Sequence, residues 1–139
     1  MLNIFLDTNI IIDFIARREN FYEEAATIVS LAINNRIKLH AASMSFATTS
    51  YIIGRKFDNN TVKLVIDNFC KICKIDGVDA DCVNYGIHSE FADFEDAMQF
   101  RCAQKAKADY IITRNTKDFT ASSIPVYTPH EFLIEILNL

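Results

Sequence analysis

The chain is poor in the residues that build loops and linkers, with 3 Gly and 2 Pro among 139 positions. Long irregular connections and a flexible linker are therefore not expected. The length suits one domain, residues 1–139, able to bury a sizeable core. No apolar run approaches the ~20 residues that span a bilayer, so no membrane segment is expected. The start lacks a basic region and a cleavage-site pattern, and Asp7 interrupts the first apolar stretch. No signal peptide is expected on that pattern, and a cytoplasmic location follows as the expectation. There is no surplus of positive charge, the formal net charge being −4. Binding nucleic acid by bulk electrostatics is disfavoured, but local binding at an enzyme site stays open.

Several chemistries lack their motifs. No G-x-x-x-x-G-K-[ST] is present, which excludes a P-loop, and no G-x-S-x-G, which excludes a hydrolase elbow. Cys70 and Cys73 form a C-x-x-C, yet no second C-x-x-C or H-x-x-x-H follows to complete a zinc site. Together with Cys82 and Cys102 they read as small buried or half-buried thiols, with no disulfides expected in a reducing compartment.

What the chain does have is a balance of 50% apolar and 23% charged residues, typical of a folded protein. Segments suited to strands fall at residues 2–6, 37–41, 73–76, 109–113 and 124–127, the first a short apolar run and the second alternating apolar and polar. Between them lie segments with helical spacing at about 10–17, 21–34, 43–57, 61–72, from Asp79 or Asp81 onward, from Asp93 onward, and from Pro129 to Leu137. Thr8 or Asn9 is expected to cap the first helix and Ser43 or Ser45 the third. Strands alternating with helices imply a mostly parallel sheet covered on both faces.

In such sheets ligands bind in the crevice at the carboxyl ends of the strands. The first strand ends on Asp7, and an acid inside so apolar a segment is costly unless it is bonded or binds a cation. The fourth strand ends on Thr113-Arg114-Asn115, with Asp118 three residues on. Asp93 and Asp96 open the helix before it and share one face of its first turn. Asp93 and Glu95 also have an ordinary reading as caps that complement the helix dipole. Asp13 reads as a solvated position on the first helix. Converging hard oxygens without His or Cys suit Mg²⁺ or Mn²⁺, which would activate water and offset charge building on a phosphate. The constellation points to phosphodiester or phosphate chemistry. It is only moderately specific, since aspartate-based phosphatases and receiver domains also cluster acids at strand ends. The paired early acids, central acceptor Asp and late Lys of a receiver are not found.

The stretches FLDTNIIIDFI, DFEDAMQFRCAQKAKADYIITRNTKDF and IPVYTPHEFL together resemble the PIN domain, particularly its small VapC-like members, and the resemblance covers nearly the whole chain. It implies a three-layer α/β/α sandwich with a central parallel sheet of about five strands. It also implies a metal-dependent endoribonuclease, often the toxin of a toxin–antitoxin pair and often a homodimer. RNA and an antitoxin protein are then the expected partners, with Mg²⁺ or Mn²⁺ as the cofactor. Asp7 matches the first metal-binding Asp, and Asp96 the acid ahead of the small-residue run in the long helix. Asn115 lies where the family has Asp or Asn after T-R, and Asp118 belongs to the K-D-F that follows. Thr8, Asn9 and Thr113 match supporting polar positions, and Asp93 a recurrent acid. One departure stands out. The acid that the family usually carries early in the helix after the second strand is matched here by Thr48, and no Asp or Glu occurs from Ala25 to Phe57.

Three functions follow. The first is a metal-dependent ribonuclease, with Asp7, Asp96 and Asp118 catalytic, Asn115 assisting at the metal, and Arg17, Arg114 and Lys117 as candidates for the phosphate backbone. The second is a non-catalytic PIN-like module that binds RNA or protein and has lost part of its metal site. The third is a small phosphatase-like hydrolase, which would need a phosphoryl acceptor that the chain does not offer. Phe14, Phe21, Tyr22, Tyr51 and Phe57 could line a partner groove, or equally well serve as core or dimer interface.

Overall fold

A computed structural model describes residues 1–139. Five strands form one sheet: β1 (Leu2–Leu6), β2 (Ile37–Ala42), β3 (Cys73–Asp76), β4 (Tyr110–Ile112) and β5 (Val126–Tyr127). Their order is β3-β2-β1-β4-β5, and every neighbouring pair is parallel. The first strand is thus central, with crossovers leaving it in opposite directions on its two sides. That reversal opens a crevice at the carboxyl end of β1.

The helices are α1 (Thr8–Ile15), α2 (Tyr22–Ile33), α3 (Ser43–Ile53), α4 (Asn59–Cys70), α5 (Ala80–His88), α6 (Phe94–Lys105) and α7 (Pro129–Glu131). Alternation along the strands splits the core in two. Ile4, Leu6, Leu39 and Ile112 pack with Ile10, Ile11, Ile28 and Phe132 on one face of the sheet. Phe5, Ala42 and Ile111 pack with Phe100, Cys102 and Ala103 of α6 on the other. The result is the expected three-layer α/β/α sandwich.

Local chemistry differs from the sequence reading at several element ends. Asp7, rather than Thr8 or Asn9, is the N-cap of α1, its Oδ1 accepting from the Thr8 backbone N–H at 2.7 Å. Neither serine caps α3, whose N-cap position is held by Ala42. Ser43 instead accepts from the Val78 N–H at 3.1 Å, and the Ser45 hydroxyl bonds that of Thr8 at 2.7 Å. The loop after β4 contains a 3₁₀ turn, Thr116–Phe119. The last helix is α-helical only over Pro129–Glu131, opened by a reciprocal Thr128–Glu131 capping box. It then widens into a π-helical stretch, Phe132–Ile136, closed by a bond from the Leu137 N–H to the Phe132 carbonyl.

The aromatics divide. Phe14 stacks on Tyr22 with centroids 6.0 Å apart and also meets Phe69, while Tyr51 and Phe57 are exposed. No helix is long and apolar enough to cross a membrane. All four cysteines are free, and burial pushes the Cys102 thiol up to about 12.

Candidate metal centre at the carboxyl edge

The site is built outward from Asp7. The β1–β4 ladder continues one residue past the strand, since the Asp7 N–H donates to the Ile112 carbonyl at 2.9 Å. This fixes the Asp7 backbone at the mouth of the sheet, where the residue is 7% exposed. Both carboxylate oxygens are held. Oδ1 accepts from the Thr8 N–H at 2.7 Å and from Gln99 Nε2 at 3.0 Å. Oδ2 accepts from the Thr113 hydroxyl at 2.7 Å and from Asn9 Nδ2 at 3.3 Å. Hydrogen bonds to an ionised group contribute roughly 1.5–3 kcal/mol each, enough together to offset the desolvation of a single buried carboxylate.

Thr113 is a relay. Its fully buried hydroxyl donates to Asp7 while accepting from the Asn115 backbone N–H at 3.1 Å. Asn9 completes the bracing by accepting from the Arg114 N–H at 3.4 Å. The residues after β4 are thereby tied to the first turn of α1.

The other acids come from α6 and from the 3₁₀ turn. Asp93 caps α6 by accepting from the Asp96 N–H at 2.9 Å, the ordinary role its position suggested. Asp96 is half-buried on the first turn. Burial first, and then the negative charges of Asp7, Asp93, Asp118 and Glu95, push its carboxyl up to about 7. Burial, Asp93 and Asp7 likewise raise Glu95. The carboxylates are thus close enough to repel one another. No three His, Cys, Asp or Glu side chains are gathered into a ready-made ligand set. In donor chemistry the group fits a hard divalent cation: it is all oxygen, and it carries mutual repulsion that a cation would relieve. Asp7, Asp96, Asp118 and the exposed Asn115 are the residues that would hold it.

Thr48, at the position where an acid was expected, is half-buried, and its hydroxyl donates to the Met44 carbonyl one turn earlier at 3.3 Å. That bond uses the hydroxyl hydrogen and leaves a neutral oxygen in place of a carboxylate.

Two residues entered the site unforeseen. Gln99, 2% exposed, reaches Asp7 from α6 one turn beyond Asp96. The signal was a polar residue at i+3 from Asp96 among Ala97, Phe100, Cys102 and Ala103. Asp13, expected to be solvated, is 1% exposed. Its Oδ2 accepts from Arg114 Nε at 2.8 Å and its Oδ1 from Arg114 Nη2 at 3.3 Å, with Arg18 Nη1 at 3.7 Å. Burial raises the Asp13 carboxyl despite the opposing pull of Arg114 and Arg18. The Arg114 guanidinium also lies 4.0 Å from the centre of the Phe21 ring. Of the three cations considered for the phosphate backbone, Arg114 is therefore engaged inside the protein, while Arg17 and Lys117 are exposed.

Fold and site together define a parallel α/β protein with an acidic crevice at the carboxyl end of its central strand. The PIN domain model matches residues 3–117, and the chain belongs to the PIN domain family. Solved structures share the fold. VapBC from Salmonella typhimurium bound to DNA is 20% identical, with 93% of this chain and 99% of that chain covered at a TM-score of 0.69. VapBC2 from Rickettsia felis bound to a promoter DNA fragment is 18% identical over 91% and 98%, at 0.67. A toxin–antitoxin complex from Klebsiella pneumoniae is 23% identical over 90% and 96%, at 0.64. Among curated protein sequences no match is found.

Proposed function

We propose that the chain is a single-domain, metal-dependent endoribonuclease of PIN type and the toxin of a toxin–antitoxin pair, acting as a homodimer. The observation that carries this reading is the buried Asp7 carboxylate at the mouth of the sheet, oriented by four donors, whose charge adds to burial in raising the Asp96 carboxyl. Support also comes from membership of the PIN family and from the shared fold of the toxin–antitoxin structures. Asp7, Asp96 and Asp118 are the acids that would hold Mg²⁺ or Mn²⁺, with Asn115 adding a neutral oxygen. When bound, the cation supplies a Lewis acid that lowers the pKa of water and offsets negative charge on the phosphate. Asp7 keeps its position through Thr113, Asn9 and the α1 N-terminus. Lys117 and Arg17 offer exposed charge to the RNA backbone. Arg114 instead pins the loop that carries Asn115.

A non-catalytic RNA- or protein-binding module is the second reading, favoured by one observation. Thr48 brings no carboxylate, and its hydroxyl is bonded within α3. The deciding experiment is cleavage of single-stranded RNA with Mn²⁺. The nuclease reading expects cleavage that EDTA stops and Asp7→Asn abolishes. RNA binding that survives EDTA, with no cleavage under any divalent ion, establishes the second reading instead.

A further inference from the structure

Two buried side-chain atoms have no hydrogen-bond partner, Thr49 Oγ1 and Gln99 Oε1. A threonine hydroxyl can turn to suit its surroundings, but an amide oxygen is an acceptor that only a donor or a cation satisfies. Leaving it orphaned and 2% exposed is costly. Its neighbours Ala97, Phe100, Cys102 and Ala103 on α6 are all buried and apolar or nearly so, and an apolar residue at 99 would avoid the penalty altogether.

The other end of the same amide lies in the acid cluster, donating to Asp7 Oδ1 at 3.0 Å. That orientation follows from charge, because an amide oxygen set against a carboxylate would be repelled. A cation at Asp7 reverses this preference, favouring oxygen and repelling N–H. The chain is also short of one carboxylate, since Thr48 offers only a neutral hydroxyl. A carboxylate has about four acceptor positions, and all four at Asp7 are taken. Something must yield when an ion arrives, and the Gln99 amide is the donor with an unsatisfied oxygen behind it.

We infer that Gln99 supplies the neutral oxygen that replaces the missing acid: its amide turns end for end, donating N–H to Asp7 without a cation and presenting Oε1 toward the cation when one is bound. This rests on the metal-centre reading above. The test measures Mn²⁺ binding by electron paramagnetic resonance and calorimetry, together with the Gln99 side-chain amide resonance under Mg²⁺ titration. Gln99→Leu should fold, as circular dichroism checks, and should bind Mn²⁺ about tenfold more weakly, the scale of effect for residues that orient a metal site. Gln99→Glu should bind at least as tightly as the natural chain, and saturating Mg²⁺ should shift the amide resonance. Natural affinity in Gln99→Leu with an unmoved resonance overturns the inference. Asp7→Asn separates the two claims. If it abolishes Mn²⁺ binding while Gln99→Leu does not, only the Gln99 role falls. If it leaves binding unchanged, the metal centre and the Gln99 role fall together.

Discussion

Arg114 Nε donates to Asp13 Oδ2 at 2.8 Å, joining the second residue after β4 to the buried face of α1 across 101 positions of sequence. The acid is 1% exposed and the guanidinium 27%, so the two partners are not equally costly to strand. Removing Arg114 strands a buried carboxylate that only Arg18, at 3.7 Å, still faces. Arg114→Ala is therefore expected to cost ~3–5 kcal/mol of folding stability and Asp13→Ala less, as read from urea midpoints. Losses below ~1 kcal/mol would mean the pair is as weak as a surface bridge, and equal larger losses that the two partners are equally costly to strand.

Thr113 is expected to matter through its hydroxyl alone. Thr113→Val keeps the shape but leaves Asp7 Oδ2 and the Asn115 N–H each short of a partner. A loss of ~1–3 kcal/mol should follow, with the urea m-value unchanged, while Thr113→Ser keeps most of the stability. A fully stable Thr113→Val would show that water serves Asp7 equally well.

Asp96 makes the metal-free protein sensitive to pH. Its carboxyl lies at about 7 in the fold against the ordinary 3.8, so the folded chain binds the extra proton across that window. Its contribution to stability is full below the lower value and is lost as pH rises through the upper one. In EDTA, Asp96→Asn should melt closest to the natural chain below about pH 3.8 and ~3 °C or more above it at pH 8. A difference independent of pH would show that Asp96 does not feel its acidic neighbours.

Thr48→Glu should raise Mn²⁺ affinity in calorimetry by restoring the carboxylate that the PIN family usually places there. Unchanged affinity would show that position 48 is not the counterpart of that acid.

The parallel sheet was legible in the sequence because its strands are short apolar or alternating stretches bounded by polar turns, recognisable without a distant partner. Asp7 was legible as the acid that directly ends the strongly apolar first strand. Asp13 was not. Ile10, Ile11, Ile12 and Asp13 are all buried, so α1 shows no polar face against which the acid would stand out, and its partner Arg114 is remote in sequence. Gln99 was hidden differently. One polar residue in a helix reads as solvent-facing until the sheet behind it is known. The caps of α1 and α3 were misplaced by a residue or more because several hydroxyls and carboxylates competed, and tertiary partners such as Val78 and Thr8 decided among them. The π-helical widening over Phe132–Ile136 has no sequence marker that we can name.

The central place of β1 carries a thermodynamic consequence. The Asp7 amide is bonded to Ile112 one residue beyond β1, the strand that is itself paired on both sides, so its hydrogen exchanges only when the end of the β1–β4 pairing opens. Asn115 precedes and Asp118 sits on an exposed 3₁₀ turn, where opening takes far less free energy. The crevice therefore has one wall tied to the central strand and one carried on an exposed turn, and solvent exchange at the second wall can be rapid while Asp7 stays in place.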